Sequence, residues 1–199
     1  MKIDITYMWL IGAWAIYFSL HSLMARQNVK QWAAINLSLN KYYRLVYSMI
    51  STIGLFALLV FNGLYDQTLI ISRTKVIMYL SLMLATSGVL IISRSFKVYS
   101  LKKFLGLSKK EESELQIKGI LKYVRHPIYC GTILIIIGYW FFNPTIATTV
   151  TCITTFLYLP IGILLEEKSL IREFGETYLN YKRKVPALIP KLWSSSSAN

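Results

Sequence analysis

The chain has 199 residues, of which 55% are hydrophobic and only 16% charged, and its mean hydropathy is +0.48. An ordinary soluble domain is roughly 45–50% apolar, so this composition excludes a disordered chain, a disulfide scaffold and a conventional soluble fold. The net charge of +13 would suit a nucleic-acid binder, but the hydropathy does not. We therefore predict an all-α integral membrane protein with the lipid bilayer as a partner and without a nucleic-acid partner.

Apolar runs predict about five transmembrane helices, because a helix that crosses a bilayer needs roughly 20 mostly apolar residues. The runs cover residues 5–25, 45–64, 76–93, 128–142 and 145–165. No small-residue cleavage site follows the first run, so we interpret it as a retained span and not a signal peptide. Asn143-Pro144 joins the last two runs. This pair predicts a tight helical hairpin whose arms pack along their length, with Asn143 as the N-cap and Pro144 at the first helical position.

Apolar residues continue at helical spacing between charged ones after the fifth run. They are Leu170, Ile171, Phe174, Tyr178 and Tyr181. The pattern predicts a cytoplasmic amphipathic tail, which Gly175 could break into a helix pair. Residues 96–107 are expected to extend the third span along the interface. We predict a disordered tail over 194–199 and a single membrane-embedded domain over 1–193.

Basic residues are distributed unevenly between the apolar runs. Nineteen of the 22 lie in residues 26–44, 94–125 and after 165, and only Lys2, Arg73 and Lys75 lie in the other connections. The positive-inside rule then places the three crowded segments in the cytoplasm. The prediction is a multi-pass protein of the cell (inner) membrane with its N-terminus outside and its C-terminus cytoplasmic.

Most of the common catalytic motifs are missing from the sequence. It contains no GxGxxG, P-loop or HExxH, and it has only two histidines, His21 and His126. Cys130 and Cys152 lie in apolar runs without metal-binding spacing, so no metal site is predicted. Chemistry is therefore expected at the cytoplasmic membrane face, where polar residues concentrate.

Two charged pairs flank the predicted hairpin. Arg125-His126 precedes the fourth span and Glu166-Glu167 follows the fifth, so the hairpin brings both pairs to one membrane depth. Two interpretations stay open at this point: a salt bridge that fixes the hairpin base, or a functional site. Adjacent helical residues point about 100° apart, so only one of the two glutamates can face a pocket formed with the fourth span.

The C-terminal half resembles the isoprenylcysteine carboxyl methyltransferase superfamily. The resemblance rests on RHPxYxG at residues 125–131, on EExxLxxxFGxxYxxY at 166–181 and on PxxxP at 186–190. This superfamily includes phospholipid methyltransferases and bacterial methanethiol S-methyltransferases. Weaker similarities to the bacterial thiol branch, and to related membrane proteins linked to nitric-oxide reduction, lie in residues 19–25, 42–45 and 104–107.

The resemblance implies an S-adenosylmethionine-dependent methyltransferase with its cofactor at the cytoplasmic ends of the last spans. Carried over by motif, the residues that bind the cofactor are His126, Pro127, Tyr129 and Glu166, together with the stretch 114–121, from which we select Gln116 and Leu121. Glu166 is also the first catalytic candidate. Methyl transfer to a thiol needs the thiolate, which Arg125 or Arg44 could favour. His21 is interpreted as either a second polar candidate or an interhelical hydrogen-bonding residue.

One position departs from the prenylcysteine branch of the superfamily. An arginine that the branch assigns to its substrate stands one turn before the glutamate, and here that position is Gly162. A substrate carboxylate would lose its partner, so we expect a small thiol or a lipid-like acceptor. The alternatives are an NADPH-dependent membrane reductase of sterol-reductase type and a non-catalytic accessory protein.

Overall fold

The computed structural model describes residues 5–39, 42–65, 68–99 and 114–190, and within these ranges it consists of helices and short connections. The helices are α1 (Ile5–Met24), α2 (Gln27–Asn36), α3 (Tyr43–Tyr65), α4 (Lys75–Tyr99), a 3₁₀ turn (Gly119–Lys122), α5 (Pro127–Phe142), α6 (Ile146–Phe174) and α7 (Glu176–Lys184). The described ranges contain no strand, only an isolated bridge between Leu69 and Thr145. The prediction of an all-α membrane protein is confirmed.

Three helices are long and apolar enough to cross a bilayer, namely α3, α4 and α6. Helices α1 and α2 pass the same test only as a pair that is bent by 71° at its break. Helix α5 has 16 residues and is shorter than a full span. The described part of this multi-pass chain therefore holds three candidate spans, or four with the bent pair, whereas the sequence has five apolar runs.

Helix α5 makes its most extensive contact with α4, and its contact with α6 is smaller. A Cβ at Gly88 would lie 2.5 Å from the carbonyl oxygen of Gly131, and a Cβ at Gly131 would lie 2.6 Å from that of Gly88. Small residues commonly permit such backbone approach between membrane helices. The two hairpin arms also contact each other from the turn to the far end, at Trp140–Thr149, Ile136–Cys152 and Tyr129–Gly162, as the sequence predicted. The glycines add a closer contact between α5 and α4.

The turn between α5 and α6 forms at the predicted place with different capping. Thr145 is the N-cap of α6, and its hydroxyl accepts a hydrogen bond from the backbone N–H of Thr148 at 3.1 Å. Asn143 instead ends α5. The prediction that Asn143 caps the last span and that Pro144 takes its first helical position was wrong, because Thr145 is the N-cap and Pro144 precedes it.

A buried polar network joins four helices at the end of the bundle that holds this turn. Asn62 is fully buried, and its amide nitrogen donates to Tyr139 Oη at 2.7 Å and to Thr148 Oγ1 at 3.2 Å. Its amide oxygen accepts from Thr151 Oγ1 at 2.9 Å, and Thr151 in turn accepts from Trp14 Nε1 at 3.0 Å. Because every group of the Asn62 side chain has a partner, this network ties α1, α3, α5 and α6 together.

Helix α6 extends well beyond the predicted span and ends at Gly175, where φ is +54°. Helix α7 follows at once, so the break into two helices at Gly175 is confirmed. Of the predicted extension over 96–107, α4 continues to Tyr99, and the remainder lies outside the described residues. The predicted tail over 194–199 also lies outside them.

Candidate active site

The RHPxY motif forms the entry into α5. Pro127 occupies the first helical position, where its fixed φ suits a helix and its missing N–H costs nothing. A residue before proline avoids the helical region, and His126 accordingly has φ −121° and ψ 63° as the N-cap. Both residues are buried, with His126 at 2% exposure. The sequence thus fixes an imidazole at the start of the helix, facing the end of α6.

Glu167 is the centre of a buried cluster of charges at this end of the bundle. Its Oε1 accepts hydrogen bonds from Arg125 Nη2 at 2.6 Å and Nε at 3.0 Å, and lies 3.1 Å from His126 Nε2. Its Oε2 lies 2.5 Å from Lys182 Nζ on α7. We call Arg125, His126, Glu166, Glu167 and Lys182 the charge cluster. It connects the start of α5, the end of α6 and helix α7.

The guanidinium of Arg125 is held from both sides. Besides the two bonds to Glu167, its Nη1 donates to the carbonyl oxygens of Lys182 at 3.0 Å and Val185. The side chain is 9% exposed. This arrangement fits the salt-bridge interpretation for the Arg125–Glu167 pair. The guanidinium of Arg125, which the sequence analysis proposed to favour a thiolate, is therefore already engaged in structural contacts.

The chain after α7 folds back over the RHPxY motif. The backbone N–H groups of Arg125 and His126 donate to the carbonyl oxygens of Pro186 at 2.9 Å and Ala187 at 3.0 Å. Cys130 Sγ lies 3.0 Å from the carbonyl oxygen of Leu188. The residues that carry the PxxxP pattern therefore act through their backbone, and they cover the entry to α5.

Glu166 differs sharply from its neighbour. Its side chain is 43% exposed, and its nearest charged partner is His126 Nδ1 at 3.5 Å. That nitrogen is buried and has no hydrogen bond of good geometry in the described structure. The Tyr129 ring lies edge-on to the imidazole at 5.6 Å and its hydroxyl interacts with the Glu166 carboxylate. Glu166, His126 and Tyr129 thus form a half-open group that contains one carboxylate and an aromatic ring.

Two opposing effects act on the protonation of His126. Burial lowers the pKa of the imidazole, but hydrogen bonding and charge interactions with Glu166 and Glu167 outweigh it and raise the pKa above its ordinary value of 6.5. A protonated ring can donate from both nitrogens, so each can face one carboxylate. The two carboxylates therefore stabilise the imidazolium form of His126 relative to a free imidazole.

Gly162 lies directly under the Tyr129 ring. A Cβ at this position would lie 3.1 Å from Tyr129 Oη and 3.3 Å from its Cε1. The space that a larger side chain would need is filled by the tyrosine. The departure noted in the sequence thus has a structural counterpart: the Tyr129 ring packs against the backbone at Gly162.

The other sequence candidates are placed differently. Leu121 is buried, and its carbonyl oxygen accepts a 2.7 Å hydrogen bond from Tyr181 Oη. Gln116 is exposed and donates from Nε2 to the carbonyl oxygen of Glu114 at 3.3 Å. Arg44 is exposed on the first turn of α3. The structure therefore joins Glu166, Arg125, His126, Pro127 and Tyr129 into one site, with Leu121 fixed through α7.

A second group of polar side chains lies at the same end of the bundle. Only His21 among its members was identified by the sequence analysis. His21 Nδ1 lies 3.1 Å from Ser51 Oγ, and His21 Nε2 lies 3.1 Å from Tyr47 Oη. Tyr158 Oη on α6 lies 2.8 Å from Ser22 Oγ on α1.

Lys182 of the charge cluster was also missed as a site residue by the sequence analysis. Its place in the tyrosine-rich tail was the only signal, and spacing alone does not reveal a partner 15 residues away.

Comparison with known proteins matches this chain to one family and several curated relatives. A family model described as NnrU protein matches residues 9–190. Methanethiol S-methyltransferase of Crocosphaera subtropica is 31% identical over 199 residues, covering 94% of this chain and 75% of the relative. Methanethiol S-methyltransferase 1 of Bradyrhizobium diazoefficiens is 30% identical over 188 residues, covering 88% of this chain and 64% of the relative.

A match over a shorter part of the chain is to the prenylcysteine branch of the superfamily. Protein-S-isoprenylcysteine O-methyltransferase of Schizosaccharomyces pombe is 32% identical over 85 residues, which is 42% of this chain and 36% of that protein. The resemblance predicted from the motifs, to this superfamily and to its bacterial thiol branch, is confirmed.

Proposed function

The chain belongs to the NnrU protein family, and we propose that it is an integral membrane methyltransferase that moves the methyl group of S-adenosylmethionine to a small thiol. The observation that carries the proposal is the half-exposed Glu166 carboxylate beside the buried His126 and the Tyr129 ring. The names of its relatives support the same chemistry.

The residues present fit this cofactor. His126 Nδ1 is a buried polar atom without a good hydrogen-bond partner, which is rare in a finished structural cluster. A carboxylate and an aromatic ring suit an ammonium or a sulfonium group, and an imidazolium suits a carboxylate. When bound, S-adenosylmethionine supplies an activated methyl group on a positively charged sulfur. Glu166, His126, Pro127 and Tyr129 would hold it, while Gln116 and Leu121 lie on the adjoining stretch.

The chain's own contribution is alignment and exclusion of water, because displacement at a methyl group needs little acid–base chemistry at the donor. Glu167 anchors the imidazole of His126 through Nε2 and leaves Nδ1 directed toward Glu166. Arg125 and Lys182 balance the buried charge of Glu167. We therefore assign Arg125 a positioning role, and Glu166 the direct contact with the cofactor.

The acceptor is assigned from what surrounds Gly162. Tyr129 fills the space beside Gly162, so the site offers a hydroxyl there in place of a guanidinium. A neutral, small thiol suits such a place better than a carboxylate-bearing prenylcysteine. We place the site on the cytoplasmic face, since the positive-inside rule assigns the arginine- and lysine-rich connections to that side.

The direct test is cofactor binding by the full chain in detergent. Isothermal titration calorimetry with S-adenosylmethionine should give a dissociation constant in the micromolar range. Glu166→Gln should weaken binding at least about tenfold, or about 1.4 kcal/mol. Ser95→Ala is the matched control, because Ser95 is buried in α4, where its hydroxyl donates to the carbonyl oxygen of Ile91 in the same helix.

A second measurement follows the product. Methanethiol with S-adenosylmethionine should yield dimethyl sulfide, detected by gas chromatography of the headspace. Titration with NADPH in place of the methyl donor tests the alternative that the protein is a reductase. Saturable binding of NADPH without heat from S-adenosylmethionine would overturn the proposal.

A further inference from the structure

Histidine and serine side chains inside a membrane bundle are costly unless they have a function or a partner. The network around Asn62 has every group of that amide paired and is sealed, with Asn62 at 0% exposure. The group around His21 differs. Its imidazole and the Tyr47 ring are only half-buried, so both keep surface that a small molecule can contact.

The neighbours of His21 indicate which ring nitrogen carries the proton and which one can accept a proton. Ser51 Oγ lies 3.1 Å from Nδ1, and Tyr47 Oη lies 3.1 Å from Nε2 and 3.3 Å from Nδ1. Both ring nitrogens of His21 have a hydroxyl neighbour, Ser51 Oγ or Tyr47 Oη, which suits a neutral ring with one donor and one acceptor nitrogen. With Ser51 accepting from Nδ1–H, the lone pair of Nε2 accepts from Tyr47.

Tyr158 connects this group to the proposed cofactor site. Its Oη lies 2.8 Å from Ser22 Oγ on α1, next to His21, and Gly162, one turn later on α6, lies under the Tyr129 ring. Tyr47 and Tyr129 both lie near Tyr158, whose ring stacks on that of Phe18 at 4.1 Å. Aromatic surfaces make favourable contacts with sulfur. A neutral thiol placed between Tyr47 and Tyr129 would therefore meet a proton acceptor on one side and the methyl donor on the other.

We propose that His21, Tyr47 and Ser51 form the acceptor subsite, in which Tyr47 relays the proton of a small thiol to His21. This inference rests on the proposed function. The thiol S–H proton passes to Tyr47 Oη while the tyrosine's own proton passes to His21 Nε2. The sulfur electron pair then forms the new S–CH₃ bond, and the bond between methyl and sulfonium breaks with its electrons kept by the donor's sulfur. Ser51 fixes the tautomer of His21.

The test compares two acceptors of different acidity in the full chain. Methanethiol is almost wholly protonated at neutral pH, whereas hydrogen sulfide is substantially ionised, so only the first needs a base in the protein. His21→Gln and Tyr47→Phe should each lower turnover of methanethiol about 100-fold at neutral pH. Hydrosulfide methylation should change less than about threefold. Because the thiolate fraction rises with pH, the loss with methanethiol should shrink about tenfold per pH unit.

Two further readouts separate this inference from the proposed function. Calorimetry should give the same dissociation constant for S-adenosylmethionine in wild type, His21→Gln and the Ser95→Ala control. Benzenethiol added to the cofactor-free protein should show the ultraviolet band of its thiolate at a lower pH with wild type than with Tyr47→Phe. That band needs no turnover.

Two results overturn the inference. The first is equal loss of both acceptors in His21→Gln and Tyr47→Phe, with unchanged pH dependence. The second is a benzenethiol titration that the Tyr47→Phe change does not move. A wild type that does not bind S-adenosylmethionine, or that binds it and methylates no thiol, would instead overturn the proposed function. If His21→Gln does not fold, Tyr47→Phe and the benzenethiol titration decide alone.

Discussion

Replacing either glutamate of the Glu166–Glu167 pair by glutamine should separate stability from binding. Glu167 has a 5% exposed side chain and contacts three cationic residues within 3.1 Å. Breaking a buried ion pair by removing one partner costs about 3–5 kcal/mol. Arg125 keeps its bonds to the carbonyl oxygens of Lys182 and Val185, so the lower end applies. We expect Glu167→Gln to lose about 3 kcal/mol, or roughly 6–12 °C for a chain of this size.

Glu166→Gln should behave differently, because this side chain is 43% exposed and its carboxylate lies 3.5 Å from His126 Nδ1, a long contact for an ion pair. An exposed pair of this kind contributes at most about 1 kcal/mol. Thermal unfolding in detergent should therefore leave Glu166→Gln within a few degrees of wild type, while its affinity for S-adenosylmethionine falls. Equal melting temperatures for wild type and Glu167→Gln would refute the reasoning, as would a larger loss in Glu166→Gln.

The remaining predictions concern packing, buried polarity and pH. Gly131→Ala should lower stability by about 1–3 kcal/mol, because the added Cβ would meet the carbonyl oxygen of Gly88. The control Gly12→Ala, whose Cβ would have no neighbour within 4 Å, should leave the melting temperature in detergent unchanged. Asn62→Ala should cost about 1–3 kcal/mol by leaving its buried partners unpaired, and the exposed Asn36→Ala should cost little in the same assay. The raised pKa of His126 means that its contribution to stability is complete below about pH 6.5 and is lost as pH rises through the raised value. The melting temperature of wild type should fall over that window, and that of His126→Gln should not.

The sequence predicted the parts of this fold that depend on local pattern. Apolar runs located the helices, and Gly175 marked the break before α7, because periodicity and left-handed backbone are local properties. The predicted hairpin also placed Arg125 and His126 beside the two glutamates, as the structure shows. Which glutamate is buried could not be read from spacing, since it depends on how α6 is rotated against α5.

Longer-range partners were not predictable in the same way. The close approach of α4 and α5 depends on Gly88 and Gly131, which are 43 residues apart and carry no joint signal in one sequence. The pairing of His21 with Ser51 and Tyr47 depends on how α1 packs against α3. Hydropathy places such residues within spans, but it does not say which of them share an interface.

The backbone pairing of Pro186 and Ala187 with Arg125 and His126 also has a consequence for biosynthesis. The segment that supplies these two carbonyls follows α6 and α7 in the chain, so it is synthesised after the helices that it covers. Until it docks, the entry to α5 lacks its cover and the backbone N–H groups of Arg125 and His126 lack these acceptors. Docking of this last segment is therefore the step that completes the site. A premature stop codon just before this segment should leave an inserted protein without a finished site.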